Sequence, residues 1–480
     1  MGRRNAVVLL SVVMLVLAGA SAATAGTPGH WTQVTNLTAH NMDEVSVART
    51  PDGNLHAVWE RPTPANPRSG RDLLQRSISP GGAEGTPVVI ESNWASIENP
   101  AVVATGGSGL DVFVGAIRST DTSDPIGNLA FASSADGGAS WTLDPADVTT
   151  TGAASASNVA AALGSDGTPF ITWGSSSCLC VHRGTAQTPN ADFQQGLGDF
   201  GYEPGIALDP ASGRLVAAWY SNGTGHNGVY AAAVDQASGA RIGTPMQMPG
   251  TSDLGDGPFN GRAPIVSRAG GGLYVAYEGA YPVHSKVLLW RVGATSSTLL
   301  GKSAYGVRSV GVASTPTGRL WVYWTAQSSS GSPIVYARRS NLQATTWGPA
   351  IALSPPAGAD SSWNLVGNGQ AGRLDLLGSF TVGSSSIGTF HTQVLPGLAL
   401  SASPTHLNVG AANPQNDTFL VSDAGSPLAG ALVQVGSKHG TTNGNGKVTL
   451  ALGPFAHKTH LKAKASRSGY VGASLALTVK

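Results

Sequence analysis

Residues 204–220, PGIALDPASGRLVAAWY, decide the fold. An alternating apolar run leads into a turn at Ser212 and Gly213, and a second apolar run follows, closing on Trp219 and Tyr220. That is the pattern of a β-hairpin with two half-buried strands. Six further copies occur: VSVARTPDGNLHAVWE (45–60), PAVVATGGSGLDVFVGAI (100–117), NVAAALGSDGTPFITWG (158–174), APIVSRAGGGLYVAYEG (263–279), SVGVASTPTGRLWVYWT (309–325) and NLVGNGQAGRLDLLGSF (364–380). Their turn glycines, Gly53, Gly109, Gly167, Gly213, Gly272, Gly318 and Gly372, stand on average about 53 residues apart. Such a period holds four short strands, three turns and a crossover.

Each hairpin is followed by a weaker strand pair, as in NLAFASSADGGASWTL (128–143) or IVYARRSNLQATTWGPAIAL (334–353). Four strands per unit, repeated radially, predict a β-propeller in which the apolar faces of neighbouring blades pack together around a channel. Seven blades are expected, with six as the competing count because the units are irregular in length. The seventh unit has a third strand near 386–395 and no fourth. The segment from His30 to Leu37, with its leading Trp31, resembles the fourth strands elsewhere, so it is expected to close the ring and remove an exposed edge.

Composition agrees. Of 480 residues only 11% are charged, with 64 Gly, 29 Pro and 11 Trp, which excludes a disordered polyelectrolyte and a charged coiled coil. A net charge of +1 offers no basic stripe for nucleic acid, so no nucleic-acid partner is expected. Residues 1–25 carry Arg3 and Arg4, an apolar run from Ala6 to Ala18, and small residues at Ala20, Ala22, Ala23 and Ala25. They read as a secretory signal; the run spans about 20 Å as a helix, less than a bilayer core, so no membrane span is expected after its removal. Cys178 and Cys180, the only cysteines, are two apart, a poor zinc set, and their state, bridged or free, is open.

In the second unit Ser134-Ala135-Asp136-Gly137-Gly138-Ala139-Ser140-Trp141 fits S-x-D-x-G-x-[ST]-W, and Ser340 to Trp347 keeps only the Ser, Thr and Trp. The chain from 30 to 397 thereby resembles the sialidase-like, Asp-box (BNR repeat) propellers. The resemblance implies that Ser134, Asp136, Gly138 and Trp141 are structural, on the face opposite the active site. It also implies a Glu and arginines at the channel mouth, for which Glu203, Arg262 and Arg308 run in the corresponding chain order. This sequence departs from the family pattern in lacking the N-terminal Arg-Ile-Pro signature, a Tyr nucleophile downstream of Arg308, and a clear acid/base Asp, for which Asp121 and Asp124 are the nearest candidates.

Topology locates the mouth. Loops joining second to third strands, and crossovers into first strands, share one face. Glu44, Glu98 and Glu203 precede a first strand, while Glu60 and Glu278 follow a second, so five of the seven Glu belong to that face. Arg61 and Arg118 follow second strands, and Trp94, Tyr202, Tyr220, Tyr277, Tyr281, Tyr305 and Trp363 lie close by. Carboxylates among aromatic rings suit sugars, which offer hydroxyls to hydrogen-bond and ring faces to stack. Ligand contacts are therefore expected from Glu44, Glu60, Glu98, Tyr202, Glu278 and Trp363. No G-x-S-x-G, H-E-x-x-H, GxxxxGK[ST] or EF-hand pattern occurs, and neither metal nor cofactor is indicated.

From 398 to 480 the character changes: seven basic residues stand against Asp417 and Asp423, and no Trp occurs. This predicts a second domain, a small β-sandwich. Its Asp423–Val433 stretch resembles the D-x-x-G-x-P-L-x-G-A-x-V pattern of Ig-like, carboxypeptidase-regulatory-like domains. The resulting expectation is a secreted propeller that recognises an extracellular glycan or cell-surface polymer at its mouth, the sandwich serving as spacer or anchor. An exo-sialidase or related glycoside hydrolase is the alternative, and a protein-interaction scaffold the third reading.

Overall fold

The computed structural model describes residues 28–38, 45–118, 127–149, 157–174, 178–189, 191–193, 201–223, 225–252, 254, 263–383 and 385–480. The proposed signal lies outside them. The chain is an all-β protein, and seven four-stranded antiparallel sheets form a β-propeller. In blade four these strands are Gly201–Asp209, Arg214–Gly223, His226–Val234 and Arg241–Gln247, paired in sequence order. The first strands of successive blades lie against one another, those of blades seven and one included, so they line the channel.

The hairpin pattern becomes packing in a regular way. Each of seven apolar clusters bridges two adjacent blades. Val58 and Leu73 of blade one meet Val112 and Val114 of blade two; Phe113 of blade two meets Trp173 of blade three; Phe170 of blade three meets Trp219 of blade four. Val216 of blade four meets Trp290 of blade five, Val287 of five meets Trp324 of six, and Trp321 of six meets Phe380 of seven. Leu377 of blade seven meets Trp59 of blade one. Second strands are covered on both faces, so their residues are buried almost without alternation, as in Leu55–Glu60 and Leu320–Ala326.

The ring is closed by the N-terminal segment. Thr32 and Gln33 pair with His391 and Phe390 on Ser386–Val394, supplying the outermost strand of blade seven. Val34 and Thr38 continue the contact through N–H donations to Thr389 and Ile387 carbonyls at 2.8 and 2.9 Å. Trp31 packs edge-on against Phe380 at 5.2 Å and donates its indole N–H to the Ser354 carbonyl. Seven blades with this closure are what the hairpin count predicts.

The turn at Ser134–Trp141 joins the third and fourth strands of blade two. Ser134 Oγ receives the Gly138 N–H and donates to Asp136 at 2.8 Å, while Ser140 donates to Asp136 through both backbone N–H and hydroxyl. Those Ser140 bonds, with the one from Ser134, hold the Asp136 carboxyl down to about 2. Gly138 has φ +80°, and a Cβ there would sit 2.7 Å from Gln75 of blade one, so only glycine fits. The Gly137 N–H donates to the Ser108 carbonyl in the first-to-second turn, so both turn types share one face and the opposite face holds the mouth.

Residues 399–479 form nine strands in two sheets packed around Phe419, Val433, Ala463 and Leu477. They attach to the propeller on the turn face of blade six. Arg339 and Asp423, each 4% exposed, pair at 2.5 Å, and Arg319 adds a contact at 3.5 Å. The Arg339 guanidinium also lies 5.6 Å over Trp321 and 5.7 Å from Tyr470, and Thr346 donates to the Ala424 carbonyl. The seat is therefore the 340–347 turn, which lacks the Asp and Gly of its counterpart in blade two. The mouth is left uncovered by this docking.

Asp417, inside the second body, is fully enclosed, and burial pushes its carboxyl up from 3.8 to about 6. The folded state therefore holds a proton that the unfolded chain releases near 4, so this contribution to stability is complete below that value and is lost as pH rises through 6. Asp417→Asn is expected to raise stability at pH 7.5 by about 1–2 kcal/mol, with the gain shrinking towards pH 4. Calorimetry at the two pH values checks it; an equal change at both would assign the effect to packing.

Candidate functional site

The mouth is shaped by a repeated irregularity. Near the start of the innermost strand the register against the second strand shifts, between Glu98 and Ala101, Ser157 and Ala160, Tyr202 and Gly205, Arg308 and Gly311, and Ser362 and Asn364. These are β-bulges at the same height in blades two, three, four, six and seven. A bulge adds an unpaired residue and re-aims its side chain, which is how such sites are commonly built on sheet rims. Asn158, Glu203 and Ser309 take left-handed backbone conformations here, with φ of 54°, 52° and 50°. For a non-glycine residue that conformation persists only where surrounding contacts hold it.

Those contacts run from blade to blade. The Asn99 side chain donates to Asn158, and Ser309 Oγ donates to the Trp363 carbonyl at 3.1 Å. Glu203 is held at both ends: its carbonyl accepts from the Ala263 N–H of blade five, and its Oε2 accepts from the Tyr277 hydroxyl at 2.8 Å. Tyr277 is fully buried and stacks on Tyr220 at 6.5 Å; burial first, then the Glu203 and Glu278 charges, push its phenol well above the usual range. It therefore stays protonated and serves as a fixed donor that orients the carboxylate. Just below the rim is a cavity of about 160 Å³ lined by Ala160, Gly205, Ala263, Val310, Tyr323 and Asn364. It is the upper channel, bounded by residues at or next to the bulges.

Above it stands a crescent of rings. Among the described residues, the most exposed Trp, Tyr and Phe side chains are Tyr202, Tyr281, Tyr305 and Trp363, at 40–56% exposure, and all four lie on this face in blades four to seven. Trp363 is steadied by its indole N–H donating to Thr381 at 2.6 Å. Arg308 is exposed on the rim of blade six. Glu98, on the rim of blade two, is partly enclosed, and burial pushes its carboxyl upward.

Other expected contacts are placed differently. Glu60 and Glu278 do not follow their second strands but lie within Leu55–Pro62 and Leu273–Gly279, each 1% exposed, and Glu60 faces Arg71 at 3.4 Å. They present no surface to a ligand, which corrects the reading of them as ligand contacts. Trp94, Tyr220 and Tyr277 are likewise buried. Arg61 is engaged with Asp72 at 3.2 Å, and Arg118 with Asp147 at 2.8 Å and with the Trp94 face. Glu44, Arg262, Asp121 and Asp124 lie outside the described residues. Cys178 and Cys180 are joined to each other at the start of the third strand of blade three. The bulges have one sequence signal: Asn99 and Glu203 each precede a proline, which restricts the preceding residue and is tolerated in sheets at bulges.

No protein-family profile and no curated protein matches the chain. Among solved structures it is similar to a Penicillium chrysogenum α-L-arabinanase complexed with arabinobiose, at 13% identity and TM-score 0.44, over 66% of this chain and 99% of that one. It is similar to a Hadza microbial sialidase at 12% identity and TM-score 0.42, over 74% and 65%. Aleuria aurantia lectin, in complex with α-methyl-L-fucoside, gives 11% and 0.38, over 73% and 91%. Likenesses this distant carry no argument about the site.

Proposed function

We propose that the chain is an exported, Asp-box-type propeller that recognises an extracellular glycan on the rim of blades four to seven, with residues 398–480 as a spacer. The observation that carries this reading is the aromatic crescent. Exposed rings are costly in water unless they meet a ligand face, and here all four stand on one face with Glu203 and Arg308. The rings supply stacking, the clamped carboxylate accepts from sugar hydroxyls, and the guanidinium donates to hydroxyl or carboxylate oxygens. The Ser134–Trp141 hydrogen bonds support the Asp-box resemblance, and the N-terminal apolar run supports export.

Screening the purified protein against a panel of neutral and sialylated glycans tests the reading. Trp363→Ala and Tyr202→Ala are each expected to weaken retention of the bound glycan roughly tenfold, on the scale of one lost stacking contact. Absence of binding across the panel would sink it. A hydrolase reading is favoured by one pair of facts: burial raises the Glu98 carboxyl, while Glu203 is fixed by Tyr277. Sugar release that disappears in both Glu98→Gln and Glu203→Gln would establish it.

A further inference from the structure

Both acidic side chains of residues 398–480 are buried: Asp417 is 0% exposed, and Asp423 is enclosed and paired with Arg339. All seven basic side chains of the same stretch, Lys438, Lys447, Lys458, Lys462, Lys464, Arg467 and Lys480, are exposed. The surface contributed by this body therefore carries fixed positive side-chain charge and no compensating carboxylate from its own side chains. Charge segregated in this way creates a one-signed field that is screened over about 8 Å at physiological salt.

Register concentrates part of that charge on one plane. The strand Thr459–Ser466 turns Ala463 and Ala465 into the core, so His460, Lys462, Lys464 and Ser466 face outward. Lys464 pairs across the sheet with Gln434, and Gln434 with His439; on the other side His460 pairs with Thr478, and Thr478 with His406. Directly paired residues share a face, so Lys462, Lys464, His406, His439 and His460 stand together on the outer side of the five-stranded sheet. The two lysines leave the backbone about 7 Å apart along one strand. Lys462 and Lys464 have Ala476 and Ser474 as cross-strand neighbours, which leaves a shallow surface along which a chain can lie.

We propose that this outer sheet face binds a linear acidic polysaccharide, a polymer of carboxylated sugars. Two neighbouring ammonium groups suit carboxylates repeated along a chain, and the interleaved His, Gln, Ser and Thr side chains offer hydrogen-bond partners to hydroxyls, which a bare polyphosphate lacks. The face bears no Trp, Tyr or Phe ring of the kind on which single-stranded nucleobases stack, and its one large apolar group, Leu432, is too little for insertion into a lipid surface. With the body docked through its Asp423–Gly425 and Tyr470–Val471 turns, His406, His439, His460, Lys462 and Lys464 all remain exposed.

Retention of the full-length protein on immobilised polygalacturonate, eluted with a salt gradient, tests the proposal. Binding at low salt is expected. Lys462→Glu with Lys464→Glu should weaken it roughly tenfold, while Lys447→Glu, on the other sheet, should change it less than about twofold. Thermal unfolding of each variant accompanies the measurement, and Lys462→Gln with Lys464→Gln keeps the test standing should charge reversal disturb the fold. The proposal is overturned by no retention at low salt, or by an equal loss in Lys447→Glu, which would mark diffuse charge. Displacement by duplex DNA or polyphosphate at lower concentrations than soluble polygalacturonate would also overturn it.

Discussion

A chain beginning at residue 45 should unfold roughly 10 °C below the full-length protein and form oligomers in solution. Removing the closing segment takes away the Thr32 and Gln33 pairing, the Val34 and Thr38 backbone bonds, and the burial of Val34 at 2% exposure. Each large apolar side chain returned to water costs about 2 kcal/mol. More consequential, Ser386–Val394 becomes a nine-residue edge strand with unpaired backbone groups, and such an edge pairs with other chains. Thermal scans and size-exclusion chromatography check the expectation. A synthetic peptide of residues 28–38 added in trans should restore much of the lost midpoint by taking the vacant strand position. Unchanged midpoints would show that blades seven and one hold together through Leu377, Trp59 and their neighbours without a seal.

Asp423→Ala should uncouple the two bodies. It leaves Arg339 at 4% exposure with its guanidinium deprived of the carboxylate, and breaking a buried pair from one side costs about 3–5 kcal/mol. The propeller and the sandwich keep their own cores, so the loss should be read as two separate calorimetric transitions and as faster proteolysis between residues 394 and 399. Replacing both partners, Arg339→Met with Asp423→Leu, should recover most of the coupling, because the most deeply buried charge is then removed with its partner, and Arg319, the outer contact of Asp423, keeps its donation to the Ser340 carbonyl. A single transition at the full-length midpoint in Asp423→Ala would assign the docking to Tyr470, Thr346 and the Gly397–Val471 bridge.

The fold was legible because a hairpin's apolar runs and turn glycine repeat seven times, and because Trp31 heads a segment patterned like a fourth strand. The site was legible only in outline. Tyr202 and Trp363 are exposed on the rim as their positions imply, but Glu60 and Glu278 looked like loop residues at strand ends and are strand residues packed between blades. A polar residue in a strand covered on both faces leaves no alternation by which to place it. Bulges are harder still, since they consist in two residues opposing one, and the count depends on the partner strand; only the prolines after Asn99 and Glu203 betray them. The sandwich docking was hidden because Arg339 and Asp423 are 84 residues apart and nothing local links them.

An extra residue at the head of five innermost strands also loosens the bond between what the rim displays and what the blades require. Where pairing is strict, changing a displayed side chain constrains its neighbours on both faces. At a bulge the displayed position is released from that alternation while the strand below resumes it undisturbed. Of the left-handed residues there, Ser309 is buried and spent on the Trp363 carbonyl, whereas Glu203 is partly displayed, so a library that varies Glu203 among residues that accept a positive φ should shift binding preference without forfeiting the wheel that carries it.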